Sequence, residues 1–536
     1  LTQLEAAFAR LDEFIKQKMA ATNTPGLSLS LTDREITLHI ACYGDANVDA
    51  GRPVTPETLF EIGSIGKSFT NIALLQLYEA GRIDLRAPVS QYLPWFEVQS
   101  KYAPITIHDL MTHTSGIING SDFTGEPRYE AYALRETETG SAPGEYFHYS
   151  NVGYKTLGVL LEEVVGQNYA DIIRERVLTP LGMNASESTI HNAMRERLAV
   201  GYVGYFDDRP APLNFPVAPA TWFESNTGDG CISSTPGDMA IYLRMLLNRG
   251  HEGVLSKSNF DLMSQKSTTS WTEDNFYGYG LMTSTVDDHT FLGHSGGMVG
   301  YWAQMTADMD SGFGAMVMAN GSYIDQHEIA VYALKLLRAV AESQELPPLP
   351  PQPDPQQIVN AADYAGVYMS GDQTLMFTAE NGQLILKHNG QNLALYGRGE
   401  DAFYADHPDF DRNLLKFGRE GEQVVEVFYG GDWYTHERYT GAKNFDYPAE
   451  WNAYVGHYRS YNPWISNFRI VLRKGALVAT FPAYGLSQPL ILLENGAFRA
   501  GDDVRSAERL RFDTVVNGKA LRAKFGVAEY YRTFTP

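Results

Sequence analysis

The segment Phe60-Glu61-Ile62-Gly63-Ser64-Ile65-Gly66-Lys67-Ser68-Phe69-Thr70 decides how the rest of this chain reads. An apolar, strand-like Leu59-Phe60 leads into it, and Ile72-Ala73-Leu74-Leu75 with Leu77 and Tyr78 forms the face of a following helix. A serine three residues ahead of a lysine at a helix start places both side chains on one face. The lysine, as a neutral amine, can take the serine proton, and the helix N-terminus offers N–H groups where an oxyanion would form. Ser64 is thereby the candidate nucleophile and, through its backbone N–H, one oxyanion donor; Lys67 is its proton-handling partner. The S-x-x-K spacing alone is weak, since roughly one chance match is expected in a chain of this size.

Two further segments strengthen it. Pro143-Gly144-Glu145-Tyr146-Phe147-His148-Tyr149-Ser150-Asn151 reads as a turn followed by an extended loop with Tyr149 and Asn151 on one side. A phenol beside a lysine ammonium can serve as general acid or base. The Asn151 amide can donate to a substrate carbonyl and order the lysine. Gly293-His294-Ser295-Gly296-Gly297 precedes the strand Gly300-Tyr301-Trp302-Ala303-Gln304. Its glycines let backbone approach a ligand, with Gly296 at the substrate and the Gly297 N–H as second oxyanion donor. His294 would stand on the opposite wall, facing the leaving group or a substrate carboxylate.

Outward from these segments, Leu1 to Lys18 reads as an amphipathic helix rather than a signal peptide, and Gly26–Leu31 with 36–42 as a hairpin. Short strands are expected at Phe291, over Gly300–Thr306 and over Phe313–Met318, followed by a helix over Glu328–Ala341. A polyproline stretch, Leu346-Pro347-Pro348-Leu349-Pro350-Pro351-Gln352-Pro353-Asp354-Pro355, marks the clearest domain boundary. Beyond it, Tyr364-Ala365-Gly366-Val367-Tyr368 returns as Tyr454-Val455-Gly456-His457-Tyr458. Each copy leads into a hairpin, turning at Asn381-Gly382 and at Lys474-Gly475. The expected fold is therefore α+β: a catalytic domain over 1–345, a proline-rich linker over 346–357, and two small antiparallel β-barrels over 358–444 and 445–536. The barrels read as scaffolding or lids, or as contributors to the site.

Composition narrows the function classes. The 536 residues are 44% hydrophobic and 20% charged, as in a globular protein. With 64 acidic against 42 basic residues the net charge is −22, which repels nucleic-acid backbones and anionic membranes. Cys42 and Cys231 are the only cysteines, in no C-x-x-C pair. No apolar stretch is long enough to span a bilayer. A leader removed ahead of Leu1 would leave the same sequence, so bacterial periplasm and cytoplasm both stay open. No cofactor or metal is called for, and a small peptide or ester is the expected partner.

The three motifs Ser64-Ile65-Gly66-Lys67, Tyr149-Ser150-Asn151 and His294-Ser295-Gly296, in this order, resemble those of class C β-lactamases, penicillin-binding peptidases, D-aminopeptidases and related esterases. Thr106-Ile107-His108-Asp109-Leu110-Met111-Thr112-His113-Thr114-Ser115-Gly116 and Gly230-Cys231-Ile232-Ser233-Ser234-Thr235 are similar as well. The resemblance covers nearly all of residues 1–340. It implies a helix-flanked antiparallel sheet beside a helical region, an acyl-enzyme on Ser64, and lipocalin-like barrels of the kind D-aminopeptidases carry. The whole-chain pattern further resembles a related peptidase that cleaves linearised microcystin. One departure matters: β-lactamases carry Lys-Thr-Gly where this chain has His294-Ser295-Gly296, so a fixed cation for a substrate carboxylate is lost. Amides and peptides, including those with D-amino acids, are the expected substrates, with esters or weak β-lactam turnover as alternatives.

Three other readings compete. Gly293-His294-Ser295-Gly296-Gly297 fits the G-x-S-x-G elbow, but that motif needs a helix directly after it, and Met298–Thr306 reads as a strand. His108 and His113 stand five apart with no intervening glutamate, unlike H-E-x-x-H. A non-catalytic sensor of the same fold is the third; the intact Ser64, Lys67 and Tyr149 argue against it.

Overall fold

A computed structural model describes residues 2–120, 126–211, 215–321 and 324–533. The chain forms two compact units: 1–203 with 216–350 and 505–507, and 204–215 with 351–504 and 508–536.

The first unit is built on a nine-stranded antiparallel sheet. Its strands are β1 (Gly26–Thr32), β2 (Thr37–Asn47), β3 (Arg52–Pro53), β4 (Thr268–Thr269), β5 (Phe276–Tyr277), β6 (Met282–Val286), β7 (His289–Met298), β8 (Tyr301–Asp308) and β9 (Phe313–Ala319). They lie in the order β3-β2-β1-β9-β8-β7-β6-β5-β4. The expected hairpin is β1–β2, with Leu29 opposite Ala41. Every residue of β1 is buried, because both faces of the sheet are covered. On one face Leu27, Leu29, Leu31, Val317 and Ala319 pack against Phe14 and Ile15 of helix α1 (Gln3–Thr22) and Ile329, Ala333 and Leu337 of the closing helix (Gln326–Ala341). On the other, Thr32 and Gly314 meet Leu243 of the helix Pro236–Leu247. Helix α1 starts on a Thr2/Glu5 capping box and stops where Asn23 turns left-handed, φ 49°.

The proline stretch begins as part of this unit rather than as a free spacer. Arg10 Nη1 donates to the carbonyls of Leu346 (2.8 Å) and Pro347 (2.7 Å), and Leu346 and Leu349 pack on the α1 core.

The second unit holds two closed eight-stranded barrels, running from Gly366–Ser370 to Asp432–His436 and from Gly456–Arg459 to Ala528–Arg532. In each, the first strand pairs with the last, Tyr368 opposite His436 and Tyr458 opposite Arg532. The sequence repeat has a structural counterpart: Tyr368 Oη donates to the Tyr364 carbonyl (3.0 Å) and Tyr458 Oη to that of Tyr454 (2.7 Å). Both hairpin turns take positive φ at two successive residues, Asn381 54° with Gly382 78°, and Lys474 48° with Gly475 76°, matching the twist of a two-residue hairpin. The chain thus runs from a helix-covered antiparallel sheet into two closed antiparallel barrels.

Candidate active site

Ser64 sits in a 3-10 turn, Gly63–Ile65, that runs directly into helix α2 (Gly66–Glu79). The turn presses against the part of β7 beyond Gly293, where β6 no longer pairs with that edge. Two glycines make the approach feasible. Gly63 has φ 51°, and a Cβ there would stand 2.5 Å from Gly297 O and 2.7 Å from Gly297 N; a Cβ on Gly296 would lie 1.9 Å from Ile62 O. The Gly297 amide therefore lies beside the Ser64 turn. Across the strand pair Gly297 faces Trp302, which is partly exposed.

Lys67 follows Ser64 by one helical turn and is fully buried. Its Nζ donates to Ser64 Oγ (2.9 Å), Asn151 Oδ1 (2.8 Å) and the Asp229 carbonyl (2.8 Å). All three ammonium positions are thus matched by acceptors, which is what a buried cation requires. Asn151 is itself oriented, its Nδ2 donating to Asn119 Oδ1 (3.1 Å).

Tyr149 and Asn151 flank the start of a helix, Asn151–Val165, rather than sharing an extended loop. Ser150 is its N-cap, accepting from Gly153 N (3.0 Å) and donating to the Ile118 carbonyl (2.7 Å). The cap was legible as a serine before an apolar periodic run, but Gly153 and the surrounding aromatics mask the periodicity. The Lys67 ammonium lies over the Tyr149 ring, 4.9 Å from its centroid. Among the described residues, no hydrogen bond joins the Tyr149 phenol to Ser64 or Lys67.

His294 is 2% exposed. It presents no free nitrogen: Nε2 bonds Tyr277 Oη (3.0 Å) and Nδ1 bonds the carbonyl of Ser295. His113 bonds the same phenol through Nε2 (3.2 Å), while its Nδ1 accepts from the Ser150 N–H (2.9 Å). The backbone groups at the two ends fix both tautomers. A backbone N–H only donates, so His113 carries its proton on Nε2; a carbonyl only accepts, so His294 carries its proton on Nδ1. Tyr277 then accepts from His113 and donates to His294. Burial, with the nearby Lys67 charge adding to it, pushes His294 down to about 4, opposed by its bond to the Ser295 carbonyl. Burial first, then Lys67 and the neighbouring histidines, hold His113 well below the usual range, and burial raises the Tyr277 phenol well above its own. Both imidazoles are neutral at pH 7.

Ser295 is exposed on β7, and a turn and β8 follow it, so it stands on no strand-to-helix elbow. His108 Nδ1 bonds Tyr279 Oη (2.7 Å), so His108 and His113 serve different tyrosines. The structure thus gathers Ser64, Lys67, Asn151 and Gly297 around one point, with Tyr149 over the lysine and His294 beside the Tyr149 and Tyr277 rings, at centroid distances of 6.3 and 5.6 Å. Tyr277, Asn119 and the Asp229 carbonyl were not singled out from sequence. A tyrosine among 32 carries no distinguishing local signal, and a backbone carbonyl carries none at all.

A serine held by a buried lysine at a helix start, beside an open glycine strand edge, defines a penicillin-recognising serine-hydrolase fold. The β-lactamase family profile matches residues 11–340, and the chain belongs to that family. It is 26% identical over 405 residues to penicillin-binding protein 4* of Bacillus subtilis (strain 168), covering 71% of this chain and 87% of that protein. It is 29% identical to penicillin-binding protein 4 of Amycolatopsis lactamdurans, covering 56% and 81% respectively. Among solved structures it resembles the octameric penicillin-binding protein homologue from Pyrococcus abyssi, with TM-score 0.61 and 27% identity over 81% of this chain and 99% of that one. No helix among the described residues is long and apolar enough to cross a membrane.

Proposed function

We propose that this chain is a serine hydrolase that cleaves amide bonds of small peptides, including those with D-amino acids, through an acyl-enzyme on Ser64. Residues 1–345 form the catalytic domain in this reading. The observation that carries it is the setting of Lys67 Nζ. Asn151 Oδ1 and the Asp229 carbonyl occupy two of its positions and cannot donate, so the third faces Ser64 Oγ. A protonated lysine donates there; a neutral one offers its lone pair to the serine proton.

In acylation Lys67 acts as the neutral amine: Ser64 Oγ bonds to the substrate carbonyl carbon and its proton passes to the Lys67 lone pair. The carbonyl oxygen takes up negative charge at the N–H groups of Ser64 and Gly297. When the C–N bond breaks, the leaving nitrogen receives a proton from Tyr149, which regains one from Lys67 as the site resets. Water then attacks the ester, returning the proton to Ser64 Oγ and releasing the acid. Asn151 orders Lys67 and stands ready to donate to a substrate amide, and the Gly296 backbone lines the same strand edge. Linearised microcystin is one substrate of this chemical class.

His294 supports the preference for peptides. A neutral, buried imidazole cannot grip a carboxylate as a lysine ammonium would. A second reading, acylation by β-lactams, is favoured by the penicillin-binding relatives. Two measurements test these readings. Intact-mass and peptide mapping after a fluorophosphonate should place the adduct on Ser64; an adduct on Ser295, or none, would overturn the mechanism. The ratio of kcat/KM for an aminoacyl amide to that for nitrocefin should exceed one; a large preference for nitrocefin would replace the peptidase reading by the second.

A further inference from the structure

We propose that Trp271 forms a subsite for an aromatic side chain on the leaving-group side of the scissile bond. The inference rests on the roles given above to Ser64 and Tyr149. Trp271 is 57% exposed, whereas Phe147 and Tyr277 beside it are buried. Its indole meets the Phe147 ring edge-on, with centroids 5.1 Å apart at 79°, and tilts over Tyr149 at 5.5 Å and 37°. It sits on a tight turn between β4 and β5, closed by the Ser270 N–H donating to the Asn275 carbonyl (2.8 Å). A single exposed tryptophan is unremarkable on a surface. This one continues an aromatic wall made by Phe147, Tyr149 and Tyr277, and leaves its outer face open beside the reacting groups.

The side of the bond it serves follows from its neighbour. The carbonyl oxygen is held at Ser64 and Gly297, where the partly exposed indole is that of Trp302. Tyr149 hands its proton to the departing nitrogen, so a ring packed against Tyr149 lies against the residue that departs. An indole face recognises another aromatic ring by offset or edge stacking.

This position gives a kinetic signature, because the leaving group is present in acylation and gone before deacylation. Two dipeptide amides with the same alanyl acyl residue, one releasing phenylalaninamide and the other alaninamide, isolate it. Trp271→Ala should lower kcat/KM for the phenylalaninamide substrate by roughly two- to tenfold relative to the alaninamide substrate, the worth of one aromatic pair. The single-turnover deacylation rate should be unchanged, and Trp271→Phe should restore most of the loss. Equal loss with both leaving groups, or slowed deacylation, would make Trp271 a support for Tyr149 and overturn the subsite. Binding is read separately with Ser64→Ala protein titrated with phenylalaninamide. A fluorescence change that disappears in Ser64→Ala/Trp271→Phe supports the subsite, and no Trp271-dependent change overturns it. If Ser64 forms no acyl-enzyme, the hydrolase reading falls while this titration still decides the subsite.

Discussion

The two sides of the site handle charge in opposite ways. On one, Lys67 is fully buried yet keeps three acceptors, Ser64 Oγ, Asn151 Oδ1 and the Asp229 carbonyl, all at 2.8–2.9 Å. On the other, His113, Tyr277 and His294 are just as buried but form a chain of neutral groups anchored on the Ser150 N–H and the Ser295 carbonyl. The low-dielectric interior tolerates a cation where acceptors converge on it and suppresses one where each ring nitrogen already has a neutral partner. The one side chain here whose surroundings can hold a cation therefore stands beside Ser64, and the facing side adds no second charge to compete with it.

The largest break in this contrast comes from the charged side. Lys67→Ala, or Tyr149→Phe, should lower kcat by about 10²–10⁴-fold, as expected when a proton-transfer group is removed. The double variant should fall little further, because both residues serve one proton. Multiplicative losses would separate their roles. Circular dichroism checks that the Ala variant, which leaves Asn151 Oδ1 and the Asp229 carbonyl without their donor, remains folded.

Breaking the neutral side should act mainly on stability. Tyr277→Phe keeps the ring but strands the His113 Nε2–H donor and the His294 Nε2 acceptor, at about 1–3 kcal/mol for each buried group left unpaired. The urea midpoint should fall accordingly, with a smaller effect on kcat than Lys67→Ala produces. A drop in kcat as large as that of Lys67→Ala would mean that the chain carries protons during turnover.

The smallest effect sharpens the comparison by pH. His294 has its folded pKa depressed from 6.5 to about 4, so between these values the unfolded chain binds a proton that the folded one refuses. Its contribution to stability is complete above about 6.5 and is lost progressively as the pH falls toward 4. His113, held well below its usual range by burial and by Lys67, acts in the same direction. His294→Gln should therefore show a shallower fall in urea midpoint than the parent between pH 6.5 and 4. An unchanged slope would mean that His294 titrates alike in the folded and unfolded chains.

Much of this site could be read from the chain because its parts are local. Ser64 and Lys67 share a face through one turn of helix, and Gly296-Gly297 announce a close backbone approach. Tyr149-Ser150-Asn151 was legible as a unit but misread as an extended loop, since Gly153 and the surrounding aromatics mask the helical periodicity that follows the local Ser150 cap. His294 was legible as a residue of the site but not as a buried one. Its partner Tyr277 lies 17 residues away on another strand, and the pairing depends on the order in which β5, β6 and β7 lie.

The sequence by itself determined the features set by neighbouring residues: the Ser64–Lys67 spacing, and the hairpins at Asn381-Gly382 and Lys474-Gly475, where left-handed backbone is needed within two residues. It also determined the twice-repeated tyrosine motif, whose hydroxyl-to-carbonyl bond spans four residues in each barrel. Only the tertiary structure decided that Gly204–Phe215 cluster with the barrels and Arg505–Ala507 with the first unit, and that the Asp229 carbonyl completes the setting of Lys67. It alone also decided that His294 is buried, with its pKa pushed down to about 4. A protonation state depends on burial and on the partners around a group, and those partners are assembled from segments distant in the chain.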